Sequence, residues 1–224
     1  MDMEIRSCIA CQTEREASEV ERIEIERRIK NMAIQAEIAK RMGNAMIAPR
    51  FVGKTLDNYE ASTDGQRKAV AAARWLLSNL DSGTPGLILL GNNGTGKNHL
   101  ASAIVREAVT QHGKTALITE VRKIDRAIKE AWRKDGLESE ALKQFSRPDL
   151  LVIDEVGLQR GSETELLHLA EIINDRYGAM KPTVLLANLQ WAEMITLIGE
   201  RAADRFREGG RLVVCDWASY RGKT

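Results

Sequence analysis

A glycine-rich loop that contains one lysine is the part of the sequence best suited to bind phosphate. Residues 91–99 read GNNGTGKNH and match the pattern G-x-x-x-x-G-K, which Ser or Thr usually follows. The apolar stretch GLILL precedes this loop and a helical pattern follows it, as phosphate binding by such loops requires. Backbone N–H groups, a helix N-terminus and a lysine amine would then converge on the phosphates of a nucleotide. The predicted contact residues are Gly91, Asn92, Asn93, Gly94, Thr95, Gly96, Lys97, Asn98 and His99.

Asn98 stands at the position where this pattern usually supplies a magnesium-binding hydroxyl. Its amide oxygen is also a neutral oxygen ligand, so it can bind Mg²⁺ in place of the hydroxyl. A second candidate ligand is Asp154, which together with Glu155 ends the apolar run LLVIDE. Ligands of open α/β sheets bind at the carboxyl ends of the strands. We therefore expect Asp154 and Asn98 to hold Mg²⁺, and Glu155 to polarise the water that slowly hydrolyses bound ATP.

Five short apolar runs alternate with helical patterns and predict the elements that would position these residues. The strands are predicted at residues 86–90, 114–119, 149–155, 183–188 and 211–217. The helices are predicted at residues 64–80, 99–113, 120–136, 137–145, 163–178 and 191–210, the last as two helices joined near Gly199. This alternation predicts an α/β fold in which a five-stranded parallel sheet carries helices on both faces.

The N-terminal part of the chain has a different pattern. Residues 14–42 contain no Gly or Pro, and opposite charges recur four residues apart. The pattern predicts one long helix with a thin apolar seam, which either packs on the main domain or docks on a partner protein. Gly43 and Pro49 mark a boundary, so we assign residues 1–50 to a helical N-terminal segment and residues 51–224 to the α/β domain.

The composition is typical of a soluble, cytoplasmic protein. The formal net charge is only +1, so a nucleic acid would have to be bound by a local basic patch. No apolar run approaches the roughly 20 residues that cross a membrane, and the N-terminus lacks a signal peptide. The three cysteines do not suggest a disulfide framework. Cys8 and Cys11 are either free thiols or half of a zinc site shared between two chains, whereas Cys215 is expected to be a small core residue.

One predicted helix carries a candidate DNA-binding surface. Within residues 120–136, basic side chains recur at spacings of four, three and four, which aligns them on one face, and a tryptophan lies beside them. Single-stranded nucleic acid is bound by basic grooves combined with aromatic stacking. The stripe is either such a DNA contact or a solvated helix face. Its residues are Arg122, Arg126, Lys129, Trp132 and Arg133.

Three segments together resemble the bacterial DnaC helicase loaders, a branch of the AAA+ ATPases. They read GNNGTGKNHLASAI, LLVIDEVGLQ and GERAADRFR, and Asn after the lysine is itself characteristic of that family. The resemblance covers the chain from about residue 51 onward. It implies an AAA+ P-loop ATPase domain without a C-terminal lid domain, preceded by an N-terminal arm that docks on a DnaB-like replicative hexameric helicase. It also implies an ATP-dependent spiral of subunits that tracks single-stranded DNA.

The resemblance assigns roles to three further residues. Asn188 ends the predicted fourth strand and corresponds to the polar residue that senses the γ-phosphate. A polar residue at the end of a buried strand beside the Asp154 strand would face the phosphates on chemical grounds as well. Arg205 corresponds to the arginine finger, which is supplied to the ATP of a neighbouring subunit, with Arg201 assisting it. The alternative for both arginines is a surface ion-pair face with nearby acids.

Two other functions fit the same residues. A transposition helper ATPase of the IstB type shares this domain and its motifs, and the segment ANLQWAEM fits that family about as well. The third possibility is a scaffold that does not hydrolyse ATP and uses it only to assemble. Co-purification with a helicase would favour the loader, a neighbouring transposase gene the helper, and absence of phosphate release the scaffold.

Overall fold

The computed structural model of the chain describes residues 9–134, 137–157 and 163–220. Its contacts define two units, one that extends to Lys40 and one that begins at Arg41. The first unit consists of most of helix α1 (Ile9–Asn44), which realises the predicted long N-terminal helix. Cys8 lies outside the described residues, as does the side chain of Cys11, so the alternatives for this pair stay open.

The second unit contains the five-stranded parallel sheet predicted from the sequence. Its strand order is β2-β3-β4-β1-β5, and every neighbouring pair is parallel. The strands are β1 (Gly86–Gly91), β2 (Ala116–Glu120), β3 (Leu150–Val156), β4 (Thr183–Ala187) and β5 (Arg211–Cys215). Because β4 lies between β1 and β3, the carboxyl ends of these three strands meet at one edge of the sheet.

Helices connect the strands and cover both faces of the sheet. They are α2 (Asp64–Ser78), α3 (Lys97–Thr110), α4 (Val121–Arg133), α5 (Glu138–Ser146), α6 (Glu163–Gly178), α7 (Trp191–Ile198) and α8 (Glu200–Gly209), with a 3₁₀ turn at Pro49–Phe51. Helix α3 begins at Lys97 rather than at His99, because left-handed Gly96 ends the loop immediately before it. The predicted break near Gly199 is confirmed, and this glycine has a φ of 81°.

The core consists of two apolar clusters, one on each face of the sheet. Leu87 and Leu89 of β1 pack on the face that α2 and α3 cover, whereas Ile88 and Leu90 pack on the opposite face. Both faces of β1 are therefore buried, which explains its unbroken apolar run. None of the described helices is both long enough and apolar enough to cross a membrane.

Arg176 of α6 fixes the ends of β3 and β4 that lie far from the predicted site. This side chain is fully buried, and its guanidinium donates to the Oγ1 of Thr183 and to the carbonyl oxygens of Pro148 and Pro182 at 2.7–3.0 Å. Burial lowers its pKa to about 10, so it stays charged at neutral pH. The hydrogen bonds join the segments that enter β3 and β4, whose opposite ends carry Asp154 and Asn188. Arg176 was not predicted from the sequence, because its burial follows from tertiary packing.

Candidate functional site

A cavity of about 510 Å³ lies at the carboxyl ends of β1, β3 and β4. It brings together the glycine-rich loop, the acidic pair and Asn188, all of which were expected to meet there. Five of its lining residues were not predicted from the sequence, namely Leu186 and Ala187 of β4 and three residues of the segment before α2. The lining residues are Arg50, Phe51, Lys54, Asn93, Gly94, Gly96, Lys97, Asn98, His99, Asp154, Glu155, Leu186, Ala187 and Asn188.

The glycine-rich loop depends on glycine at two positions where other parts of the chain come close. Gly91 has a φ of 122°, and a Cβ atom there would lie 2.2 Å from the carbonyl oxygen of Cys215. Gly96 has a φ of 92°, and a Cβ atom there would lie 2.7 Å from the ring of Tyr59. Side chains are excluded at both positions by backbone conformation and by space. The loop therefore turns directly into α3, whose N-terminus points at the cavity.

The ammonium group of Lys97 forms hydrogen bonds with three neutral acceptors. Its Nζ donates to the carbonyl oxygens of Gly91 at 2.7 Å and Asn92 at 2.8 Å, and to the Oδ1 of Asn188 at 2.8 Å. Burial lowers the pKa of Lys97. Since none of these three acceptors is charged, they leave the positive charge of the lysine available to attract phosphate oxygens.

Asn98 and Asp154, the two predicted magnesium ligands, are in direct contact. The Nδ2 of Asn98 donates to the Oδ2 of Asp154 at 2.8 Å. Burial raises the pKa of Asp154, although its hydrogen bonds with Asn98 and with the backbone N–H of Glu155 act in the opposite direction. The described residues include no group of three or more His, Cys, Asp or Glu side chains that is arranged to hold a metal ion. One carboxylate and one amide still fit Mg²⁺, which is usually held by one or two carboxylates together with substrate phosphates.

A β-bulge in β3 turns both acidic side chains toward the cavity. Adjacent residues of a regular strand point to opposite faces of the sheet. The register between β3 and β4 shifts between Ile153 and Val156, and Glu155 has a φ of 58°. Bulges next to functional sites redirect side chains in this way, and a non-glycine residue in the left-handed region is strained. The bulge therefore allows Asp154 and Glu155 to line one cavity.

Asn188 follows β4 directly and links that strand to the loop. Its Oδ1 accepts the hydrogen bond from Lys97, and its Nδ2 donates to the Oδ1 of Asn93 at 2.8 Å. One amide thus contacts two residues of the glycine-rich loop, four positions apart. Asn188 is therefore placed to contact a ligand that is bound between the glycine-rich loop and β3.

Comparisons with known proteins agree with this geometry. A family model described as IstB-like ATP binding protein matches residues 14–223. The chain belongs to the IstB-like ATP-binding family. Among its relatives, the replicative helicase loader DnaC of Escherichia coli K12 is 38% identical over 179 residues, which cover 79% of this chain and 73% of DnaC.

Solved structures of AAA+ proteins have the same fold as this IstB-like chain. The crystal structure of the DnaC helicase loader matches with a TM-score of 0.66 at 26% identity, covering 75% of this chain and 99% of that one. The replication initiator DnaA bound to AMPPCP and single-stranded DNA matches with a TM-score of 0.63 at 27% identity, covering 77% of this chain and 52% of that one. The chain is therefore an AAA+ protein with a nucleotide-binding domain, and helicase loaders are among its relatives.

Arg201 and Arg205 of α8 do not line the cavity of this IstB-like domain. The Nη1 of Arg205 donates to the Oδ1 of Asn174 at 2.6 Å, and its guanidinium lies 4.1 Å from the ring centre of Tyr177. Arg201 is exposed to solvent. The nearby acids Glu200 and Asp204, which were considered as partners for these arginines, form ion pairs with Arg207 instead.

The basic stripe of α4 is exposed, and two core residues lie on the opposite face of the helix. Ile124 and Ile128 are 2% and 0% exposed. Lys129 forms an ion pair with Asp125 on the same helix at 2.6 Å. Trp132 is 46% exposed and lies at the flank of the stripe, where its ring meets the edge of His168 on α6. The four exposed basic residues are Arg122, Arg126, Lys129 and Arg133.

The three cavity residues that precede α2 are held beside α3 by contacts of their own segment. The Nε2 of His99 lies 2.8 Å from the carbonyl oxygen of Thr55, and burial lowers the pKa of His99. Arg106 of α3 donates to the carbonyl oxygen of Val52 at 2.9 Å. No phosphate-binding motif includes residues 50–54, so only their position in the fold identifies them as part of the site.

The strain at Glu155 leads to a prediction about stability. Glycine tolerates the left-handed region that Glu155 adopts, whereas alanine keeps the strain. We expect Glu155→Gly to have a free energy of unfolding about 1 kcal/mol higher than Glu155→Ala, since both variants lack the carboxylate. Urea unfolding followed by circular dichroism would measure the difference. A glycine variant no more stable than the alanine variant would contradict the strained conformation.

Proposed function

We propose that this protein is an ATP-dependent loader that binds a replicative hexameric DNA helicase and puts it onto single-stranded DNA. The observation that carries this proposal is the cavity in which Lys97, Asp154 and Asn188 meet, in a chain 38% identical to a replicative helicase loader. Fold alone does not determine function, so the proposal rests on the site and on the relatives together.

The cavity residues would divide the work of ATP hydrolysis among them. Lys97 and the loop N–H groups would bind the β- and γ-phosphates, and Glu155 would orient the attacking water. Asn188, which already contacts both the lysine and the loop, would sense the γ-phosphate. Asn98 and Asp154 would hold Mg²⁺, which supplies neutralisation of the phosphate charge when it is bound. The site would hydrolyse ATP slowly.

Arg205 would complete a site on a neighbouring subunit rather than its own. Its side chain lies against Asn174 and Tyr177, outside the cavity. An arginine supplied in trans stabilises the charge of the transition state only when subunits assemble. We therefore propose that ATP-bound subunits stack in a spiral, that Arg201 assists Arg205, and that hydrolysis requires this assembly.

Helix α1 would provide the surface that binds the helicase. It exposes a series of large apolar side chains, and an amphipathic helix of this kind fits an apolar groove on a partner. Three of these residues share one face at spacings of four and three and are 48–72% exposed, namely Ile25, Ile29 and Met32. A contiguous exposed apolar patch of this kind is typical of a surface that binds another protein.

The stripe on α4 would contact single-stranded DNA. Its four basic side chains are exposed in one row, which suits a phosphate backbone. Trp132 borders a groove of about 540 Å³ between α4 and α6, where Leu167 is 68% exposed. An unstacked base could enter this groove and stack on the indole while the backbone follows the stripe.

A transposition helper is the second candidate, because the family model that matches residues 14–223 carries the IstB-like description. The helper would use the same nucleotide site but would bind a transposase instead of a helicase. A partner-binding experiment therefore separates the two functions.

The loader proposal predicts an ATP-dependent complex with the replicative helicase of the same organism. In size-exclusion chromatography, the full chain should co-elute with the helicase hexamer when ATP and Mg²⁺ are present. The double variant Ile29→Asp/Met32→Asp should bind the helicase at least about tenfold more weakly, because it introduces charge into the apolar seam. Glu26→Gln/Lys30→Gln on the same helix serves as the control. Binding to a transposase and not to the helicase would favour the helper.

The trans arrangement predicts a specific defect for Arg205→Ala. Its affinity for ATP should stay within about twofold of wild type, because Arg205 lies outside the cavity of its own subunit. Phosphate release in the presence of DNA and helicase should fall at least about 100-fold. Arg207→Ala, on the same helix, is the matched control and should turn over normally. Normal turnover by Arg205→Ala would remove the finger assignment, and no release by wild type would favour the scaffold.

The DNA surface predicts that Lys129→Ala/Trp132→Ala binds single-stranded DNA more weakly. The loss of one phosphate contact should reduce the slope of log affinity against log salt concentration by about 0.7. Loss of stacking should cost about 1–3 kcal/mol per base. Lys123→Ala is the control, because Lys123 lies on the same helix outside the stripe and also forms one ion pair. Fluorescence anisotropy with labelled oligonucleotides would measure both quantities, and unchanged binding would reduce the stripe to a solvated face.

A further inference from the structure

The carbonyl groups of the glycine-rich loop have partners that the nucleotide site does not use. Thr95 is 1% exposed, so its carbonyl oxygen has to be satisfied within the protein. It accepts two hydrogen bonds, from the Oη of Tyr59 at 3.0 Å and from the indole Nε1 of Trp217 at 2.8 Å. The carbonyl oxygen of Gly94 accepts the backbone N–H of Tyr220 at 2.9 Å. Three donors therefore hold two consecutive peptide groups of the loop.

These donors come from two segments that are far from the loop in sequence. Tyr59 precedes α2, whereas Trp217 and Tyr220 follow β5. The two segments are also joined to each other, because the hydroxyl of Tyr220 donates to the carbonyl oxygen of Glu60. The ring of Trp217 packs so closely on Gly65 that a Cβ atom there would lie 3.0 Å from it. The segments before α2 and after β5 thus form one support behind the loop.

We infer that Tyr59 and Trp217 are positioning residues for nucleotide binding. The segment after β5 thereby helps to fix the orientation of the loop N–H groups that would bind phosphate. Neither side chain lines the cavity, so both would act through the loop. This inference rests on the nucleotide-binding part of the proposed function. It does not require helicase loading, DNA binding or hydrolysis.

The planarity of the peptide bond explains how the support reaches the phosphates. In a trans peptide, the carbonyl oxygen of Thr95 and the N–H of Gly96 point in opposite directions within one rigid plane. Donors that hold the oxygen at the back of the loop therefore keep the N–H directed to its front. Because N–H groups of such loops bind phosphate, a rotation of this plane would remove one phosphate ligand.

The two side-chain donors are redundant, because both donate to the same carbonyl oxygen. With one of them removed, the carbonyl oxygen of Thr95 still has a hydrogen bond. With both removed, the oxygen is left unpaired in a buried position, and the peptide must turn to reach water. Tyr59→Phe deletes one donor and keeps the ring that packs against Gly96. Trp217→Phe deletes the other donor but replaces the indole by a smaller phenyl ring, so its control must lose the same volume elsewhere in the chain.

Isothermal titration calorimetry with ATPγS on the full chain would test the inference. Each single variant should weaken binding by at most about threefold, and the double variant by more than about tenfold, above the product of the two single effects. Trp75→Phe is the matched control, since Trp75 lies in α2 and forms no hydrogen bond with the loop. It should bind within about twofold of wild type.

Hydrogen exchange of the nucleotide-free protein supplies a readout that a merely structural role would not move. In the double variant, exchange should become faster in residues 91–98 and stay unchanged in β3 and β4. A double variant that binds ATPγS like wild type would overturn the inference, as would faster exchange throughout the sheet. If wild type itself does not bind ATPγS, the proposed function fails instead, so the two failures are distinguishable.

Discussion

The structure depends on bringing the carboxyl ends of β1, β3 and β4 to one edge of a parallel sheet. Only this arrangement lets the ammonium group of Lys97 reach the amide of Asn188 at 2.8 Å, across 91 positions of sequence. The same edge puts Asn98 against Asp154. A buried lysine among neutral acceptors and a partly buried carboxylate therefore line the same cavity. The surrounding helices and the buried guanidinium of Arg176 keep the strands in that register.

Much of this arrangement could be predicted because its signals are local. The glycine and lysine spacing identifies the loop, and unbroken apolar runs identify strands that are buried on both faces. Asn188 was expected to face the phosphates, both on chemical grounds and from the resemblance to helicase loaders. Asn98 and Asp154 were expected to bind the same Mg²⁺, whereas the strand order and the direct hydrogen bond between these two side chains are known only from the structure.

Other features could not be predicted because they arise from tertiary packing. A regular strand would direct Asp154 and Glu155 to opposite faces, and nothing in LLVIDE reveals the bulge that brings them together. Arg50 and Lys54 belong to a short segment without a periodic pattern, yet they line the cavity. On α4, helical spacing identifies the basic row correctly. It does not reveal that Trp132 turns toward His168 on α6 rather than toward the row itself.

The segment that enters the second unit is anchored at both of its ends. Ala45 is completely buried, and its carbonyl oxygen accepts the N–H of Ile118 in β2 at 2.9 Å. At Thr55 the carbonyl oxygen meets His99, and between these two anchors the chain forms one wall of the cavity. Because these hydrogen bonds fix both ends, the residues between them can change conformation only as far as the two contacts allow. A displacement that broke the contact between Ala45 and β2 would therefore also release the wall formed by Arg50, Phe51 and Lys54.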